Sequence, residues 1–212
     1  MSTEHTRSEK IAAIIISYIF HPLLMPTVGL YLFFHSGTYI ETMNDEAKNF
    51  LYVILGFSTC ILPLLLLPLF IYRRVIKNIE MDTRSERIMP AVFTFVFYFL
   101  GYYLLNRLPV PNVLSGYISS VVATVSAALL ITIWWKISFH TLALGGIIGS
   151  LIALSLRFEA DLQYFIMASL FFTGLVSAAR LRLGAHTPLQ IITGFFLGLI
   201  VVFLFVFFGL NF

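Results

Sequence analysis

Seven stretches of this chain stay apolar for about as long as a helix needs to cross hydrocarbon: roughly 11–34, 50–72, 89–106, 114–135, 140–156, 162–179 and 189–210. Backbone amides in lipid must be satisfied within the segment, and these stretches lack the two-residue alternation of a barrel strand. The expected fold is therefore all-α, a polytopic integral membrane bundle of about seven transmembrane helices. Charge agrees: only 11% of residues are Asp, Glu, Lys or Arg, where soluble domains carry about 25%. That excludes an ordinary soluble enzyme or a nucleic-acid-binding module. The length of 212 residues fits one membrane domain, 1–212, and leaves no room for a second. Cys60 is the single cysteine, so no disulfide framework forms within the chain.

A polar segment of ten residues, Met1 followed by nine polar ones that include Arg7 and Lys10, precedes the first apolar run. The run from Ile11 to about Phe34 is too long for the core of a cleaved signal, so it is read as a retained first transmembrane helix. Pro22, Pro26, Pro63 and Pro68 lie inside the first two runs and should kink them. His21 stands beside Pro22, where it is expected to be buried and bonded to carbonyls freed by that kink. Gly145, Gly146 and Gly149 mark the fifth run, the shortest, as one able to pack closely on a neighbour. Trp134 and Trp135, next to Lys136, read as an interfacial anchor.

With seven spans, the connections near 73–88, 136–139 and 180–188 fall on one side. That side also holds the N-terminus and collects Arg7, Lys10, Arg73, Arg74, Lys77, Arg84, Arg87, Lys136, Arg180 and Arg182, against Lys48, Arg107 and Arg157 on the other. Ten against three places it in the cytoplasm. Setting aside Lys77, Arg84, Arg87, Arg180 and Arg182, which chemistry accounts for, leaves five against three.

The polar stretch Arg180-Leu-Arg182-Leu-Gly-Ala-His186-Thr187-Pro188-Leu-Gln190 sits between two membrane-length runs. Charge beside hydrocarbon is costly and marks a functional site by default. Two companions share its side: the basic segment from Arg73 to Pro90, and Lys136-Ile-Ser138-Phe139-His140-Thr141. Cationic side chains from three loops on one face make a site for an anion. His140 and His186 among them supply proton-transfer or nucleophilic chemistry.

In order and spacing, these three segments resemble the type 2 phosphatidic acid phosphatase superfamily. Its third motif is Ser-Arg, five residues, His, three residues, Asp; this chain has Ala179-Arg180, five residues, His186, three residues, Gln190. Its second motif, Pro-Ser-Gly-His, corresponds to Ile137-Ser138-Phe139-His140. Its first, Lys, six residues, Arg-Pro, corresponds to Lys77, six residues and Arg84, with Ser85 in place of proline; Arg87 with Pro90 is a looser alternative. The resemblance covers about residues 73–210 and implies a six-helix phosphatase-type core, with the first two runs as general membrane anchors. It further implies a metal-independent phosphatase that needs no cofactor, acting through a phosphohistidine on a membrane lipid phosphate or polyprenyl diphosphate. His186 would be the nucleophile and His140 the acid. Gln190 would orient His186, while Arg180, Lys77, Arg84 or Arg87, and Ser138 would hold the phosphate. A bacterial inner membrane suits such a protein.

Three departures point to the alternative, a catalytically silent relative that binds anionic headgroups or a partner. Gln190 replaces the aspartate and brings no charge; Ala179 replaces a serine; Phe139 replaces a glycine where phosphate approaches. Thr187-Pro188-Leu189-Gln190 also reads as a helix-capping box, which gives Gln190 a second use. His140 equally suits a capping position. Arg180 and Arg182, two residues apart, cannot share a helix face; Arg180 is assigned to the site and Arg182 to headgroups or a second phosphate. Asp82 and Glu86 are isolated acids rather than the aspartate repeats of a magnesium site, and no zinc spacing is present.

Overall fold

The computed structural model describes residues 2–77 and 84–211, with side chains from Arg7 in the first stretch and from Ser85 in the second. Helix follows helix: α1 (Ser2–Ile19), α2 (Met25–Phe34), α3 (Asp45–Gly56), α4 (Leu62–Tyr72), α5 (Arg84–Leu105), α6 (Asn112–Trp134), α7 (Phe139–Phe158), α8 (Gln163–Arg182) and α9 (Pro188–Phe208). A π-helical turn, Phe57–Ile61, joins α3 to α4, so that Asp45–Tyr72 forms one span. It lies just ahead of Pro63, whose missing N–H interrupts regular i→i−4 bonding. Among the described residues, six helices are long and apolar enough to cross a membrane, and Met25–Phe34 is a shorter apolar one. The protein is an integral membrane protein.

The first apolar run is not one helix. Proline disfavours helical backbone in the residue before it, and α1 stops at Ile19, with α2 starting only at Met25. Residues 20–24 form a break between two half-helices. Near the break, Phe20 meets Phe172 of α8 with ring centroids 4.9 Å apart, and α2 then packs on α7 and α3. Non-helical backbone at membrane depth is tolerated where protein covers it or where it lines a cavity.

The shortest run is the most enclosed: α7 is buried over more of its length than any other candidate span among the described residues. Glycines on both sides let α7 and α9 cross at backbone contact. A Cβ on Gly145 would lie 2.1 Å from the Phe195 carbonyl oxygen, and one on Gly198 only 1.9 Å from that of Leu142. Packing without side chains between backbones is how small residues hold membrane helices together. The far end is pinned by Arg157 at the end of α7, which donates to the carbonyls of Val206 (2.7 Å) and Phe207 (3.0 Å). Around this pair, Leu30 and Phe33 of α2, Tyr117 and Val121 of α6, and Val202 and Val206 of α9 complete the core.

α5 begins about five residues earlier than its apolar run. The charged residues before that run form its first turn, where Glu86 and Arg87 are buried. The Glu86 carboxylate accepts the backbone N–H of Lys77 at 3.4 Å, tying the segment after α4 to the start of α5.

Candidate functional site

The crossing of α7 and α9 brings their N-terminal ends together. The Ser138 N–H donates to the Gln190 carbonyl (3.3 Å) and the Thr141 hydroxyl to the Ile191 carbonyl (3.0 Å). His140 on the first turn of α7 and His186 just ahead of α9 are thereby drawn to one cavity of about 260 Å³. Arg180 reaches it from the last turn of α8 and Arg87 from the first turn of α5. Arg87, Arg180 and His186 are 8%, 9% and 7% exposed, so the charge is shielded from lipid.

His186 is held through Gln190. The Gln190 Oε1 accepts the Thr187 backbone N–H at 3.2 Å, which identifies that atom as the oxygen. The same oxygen lies 3.2 Å from His186 Nδ1, so Nδ1 carries the proton and Nε2 keeps a lone pair. The Thr187 hydroxyl returns the bond by accepting the Gln190 N–H, closing a capping box on α9. Capping and imidazole orientation, two competing readings of Gln190, are both realised by one side chain. Burial, reinforced by the guanidinium groups of Arg87 and Arg180, pushes the His186 pKa down to about 3, against an upward pull from the Gln190 bond; Lys136 adds a smaller downward push. The imidazole is neutral at physiological pH.

His140 is held from an unexpected quarter. Its Nε2 lies 3.2 Å from the carbonyl oxygen of Ser17 on α1; a carbonyl only accepts, so Nε2 bears the proton. The hydroxyl of Ser17 donates to the Ala13 carbonyl (2.8 Å) and accepts from Arg180 Nη1 (3.3 Å). His21, in the break after α1, turns its ring edge-on to His140 at 5.9 Å between centroids. The first run, expected only to anchor, therefore lines the site with Ser17 and His21. The expectation that His21 would take a freed carbonyl is corrected: His140 takes it, and His21 Nδ1 instead accepts the Leu23 N–H at 3.4 Å. Pro22 was the signal available in sequence, because it breaks the helix and leaves a backbone carbonyl for another element to satisfy.

Other expected ligands are not brought to the cavity. Ser138 is fully buried and caps α7 by accepting the Thr141 N–H. The Lys77 side chain is exposed and away from the lining, and the Arg84 side chain lies outside the described residues, as does Asp82. Arg87 is the basic residue of that segment found at the cavity. Arg182 pairs with Glu9 of α1 at the surface. His35 lies beyond α2, where its ring nitrogen bonds the Tyr31 carbonyl. Among the described residues, no group of three or more His, Cys, Asp or Glu is arranged to hold a metal.

Below the cationic end the lining turns apolar, with Phe70 of α4, Val125 of α6, Ile147 of α7 and Val202 of α9, and Tyr98 and Tyr117 among them. Tyr98 follows Arg87 on α5 by eleven residues, about 16 Å along the helix, roughly half the thickness of the hydrocarbon core. A charged head with an oily shaft beneath it matches the two ends of an anionic amphiphile.

No protein-family model, curated protein or solved structure matches the chain.

Proposed function

We propose that this protein is a lipid phosphate phosphatase of the type 2 phosphatidic acid phosphatase kind, acting on a membrane lipid phosphate or polyprenyl diphosphate through a phosphohistidine, without metal or cofactor. One observation carries the reading: a neutral His186 whose Nδ1–H is spent on Gln190, leaving Nε2 nucleophilic beside two buried arginines at the mouth of an apolar cavity. In the first step Nε2 attacks phosphorus and the P–O bond to the alcohol breaks. The leaving oxygen takes the proton carried by the phosphate monoanion, relayed through His140. In the second, water attacks the phosphohistidine, its proton passes to His140, the N–P bond breaks and phosphate departs. Arg87 and Arg180 hold the equatorial oxygens, where charge accumulates in the transition state. The setting that suits this reading is a bacterial inner membrane.

A second reading is favoured by Phe139, whose side chain lines the cavity, and by the uncharged Gln190: a silent relative that binds anionic headgroups or a partner. Phosphate release from long-chain alkyl and diacyl phosphates by purified protein in detergent, with chelator present, separates the two. Chelator-resistant release that disappears in His186→Ala, together with an acid-labile phosphoenzyme, supports the enzyme. Equal release by wild type and His186→Ala rejects it. Binding of phosphatidate vesicles without release, weakened in Arg180→Ala, supports the silent reading.

A further inference from the structure

We propose that the break in the first apolar run, between α1 and α2, is a working part of the site, with Ser17 as the positioning residue for both His140 and Arg180. The inference rests on the phosphatase reading and adds an element that none of the three loop motifs contains.

The argument starts from Pro22. Had α1 continued, the His21 N–H would reach the Ser17 carbonyl, four residues back. The residue before a proline avoids helical backbone, and among the described residues the last such bond runs from the Phe20 N–H to the Ile16 carbonyl. The Ser17 carbonyl is thus released at a buried residue, where an unsatisfied acceptor is costly. His140 Nε2–H satisfies it across the helix interface. The hydroxyl of the same residue supports Arg180, and the His21 ring closes the edge of His140. One residue of α1 therefore sets the ring orientation of one site group and the position of another.

The chemical consequence is definite. With Nε2 committed to Ser17, the nitrogen of His140 that exchanges protons with substrate is Nδ1. Ser17 does for His140 what Gln190 does for His186: each takes the proton of the nitrogen that does no chemistry, so the two imidazoles work through opposite nitrogens.

The test compares substrates by leaving group. An alkyl phosphate needs its departing oxygen protonated, whereas p-nitrophenyl phosphate departs as a stable phenolate and scarcely does. Pro22→Ala lets His21 become helical and reclaim the Ser17 carbonyl, so the alkyl-to-aryl ratio of kcat should fall at least tenfold. A general loosening lowers both substrates together. Ser17→Ala keeps the carbonyl and removes the hydroxyl; kcat/KM should fall severalfold for both substrates alike, with the alkyl-to-aryl ratio unchanged, and Ser17→Thr should restore it. Protonation is read directly from 15N-histidine spectra in micelles, with the His140 signals assigned by their loss in His140→Gln. Wild type should show Nε2 protonated and Nδ1 bare. Nδ1-protonated His140 in the wild type, or an unchanged kcat ratio in a folded Pro22→Ala protein, overturns the proposal. Should the wild type hydrolyse neither phosphate, the phosphatase reading falls, while the nitrogen spectra still decide the Ser17 contact.

Discussion

Gly198→Ala should be the most damaging single-methyl addition in the protein. Its new carbon would sit 1.9 Å from the Leu142 carbonyl oxygen, 2.8 Å from the carbonyl carbon and 3.0 Å from the Gly146 nitrogen. All three are backbone atoms, so no rotamer change relieves the clash, and α9 must move off α7 by roughly 1.5 Å to regain van der Waals separation. Overpacking of this kind costs about 1–3 kcal/mol, and at about 2–4 °C per kcal/mol for a chain of this size the melting temperature should fall by about 2–12 °C. The displacement is carried toward the helix ends, where the Ser138–Gln190 and Thr141–Ile191 bonds set His140 against His186. A misplacement of about 1 Å there is worth on the order of a hundredfold in rate. Thermal unfolding in detergent, followed by phosphate release at a temperature where the variant is folded, reads both effects. Gly174→Ala is the control: a Cβ there meets nothing within 4 Å, and it should melt at or slightly above wild type. A Gly198→Ala protein that melts with wild type would refute the close crossing as the device that assembles the site.

Three further outcomes follow from the site itself. Because His186 titrates near 3 when folded and near 6.5 when unfolded, the unfolded chain alone gains a proton between those values; stability should therefore drop as pH falls from 7 toward 4, by up to about 1.4 kcal/mol per unit, and His186→Gln should flatten that slope in unfolding curves. Gln190→Asp places a carboxylate against His186 and should raise phosphate release at least tenfold if missing charge limits turnover; lower stability with no gain in rate would assign Gln190 to capping alone. Arg180→Ala should weaken inorganic phosphate or vanadate binding more than tenfold, whereas Arg182→Ala, which breaks only a half-exposed pair with Glu9, should change stability by about 1 kcal/mol or less and leave anion binding within about twofold; equal losses would contradict the division of labour between the two arginines.

Read from the sequence alone, residue type and run length were enough for the helical membrane architecture, because hydrocarbon leaves the backbone few alternatives and each span declares itself by local composition. The pairing of loops through His140, Arg180 and His186 was legible for a related reason: successive spans alternate direction, so connectivity decides which polar residues share a side. What only the tertiary structure decided is which side chains of that shared side meet. Lys77 and Ser138 have suitable chemistry and positions, yet one is exposed and the other is used as a helix cap. Arg87 reaches the cavity because α5 starts before its apolar run does. Ser17 and His21 lie more than a hundred residues from His140, and nothing local announces that the carbonyl released by Pro22 would find an imidazole there. Such contacts depend on how one helix crosses another, and a crossing is set by glycines and backbone surfaces on two remote segments at once, which no window of sequence contains.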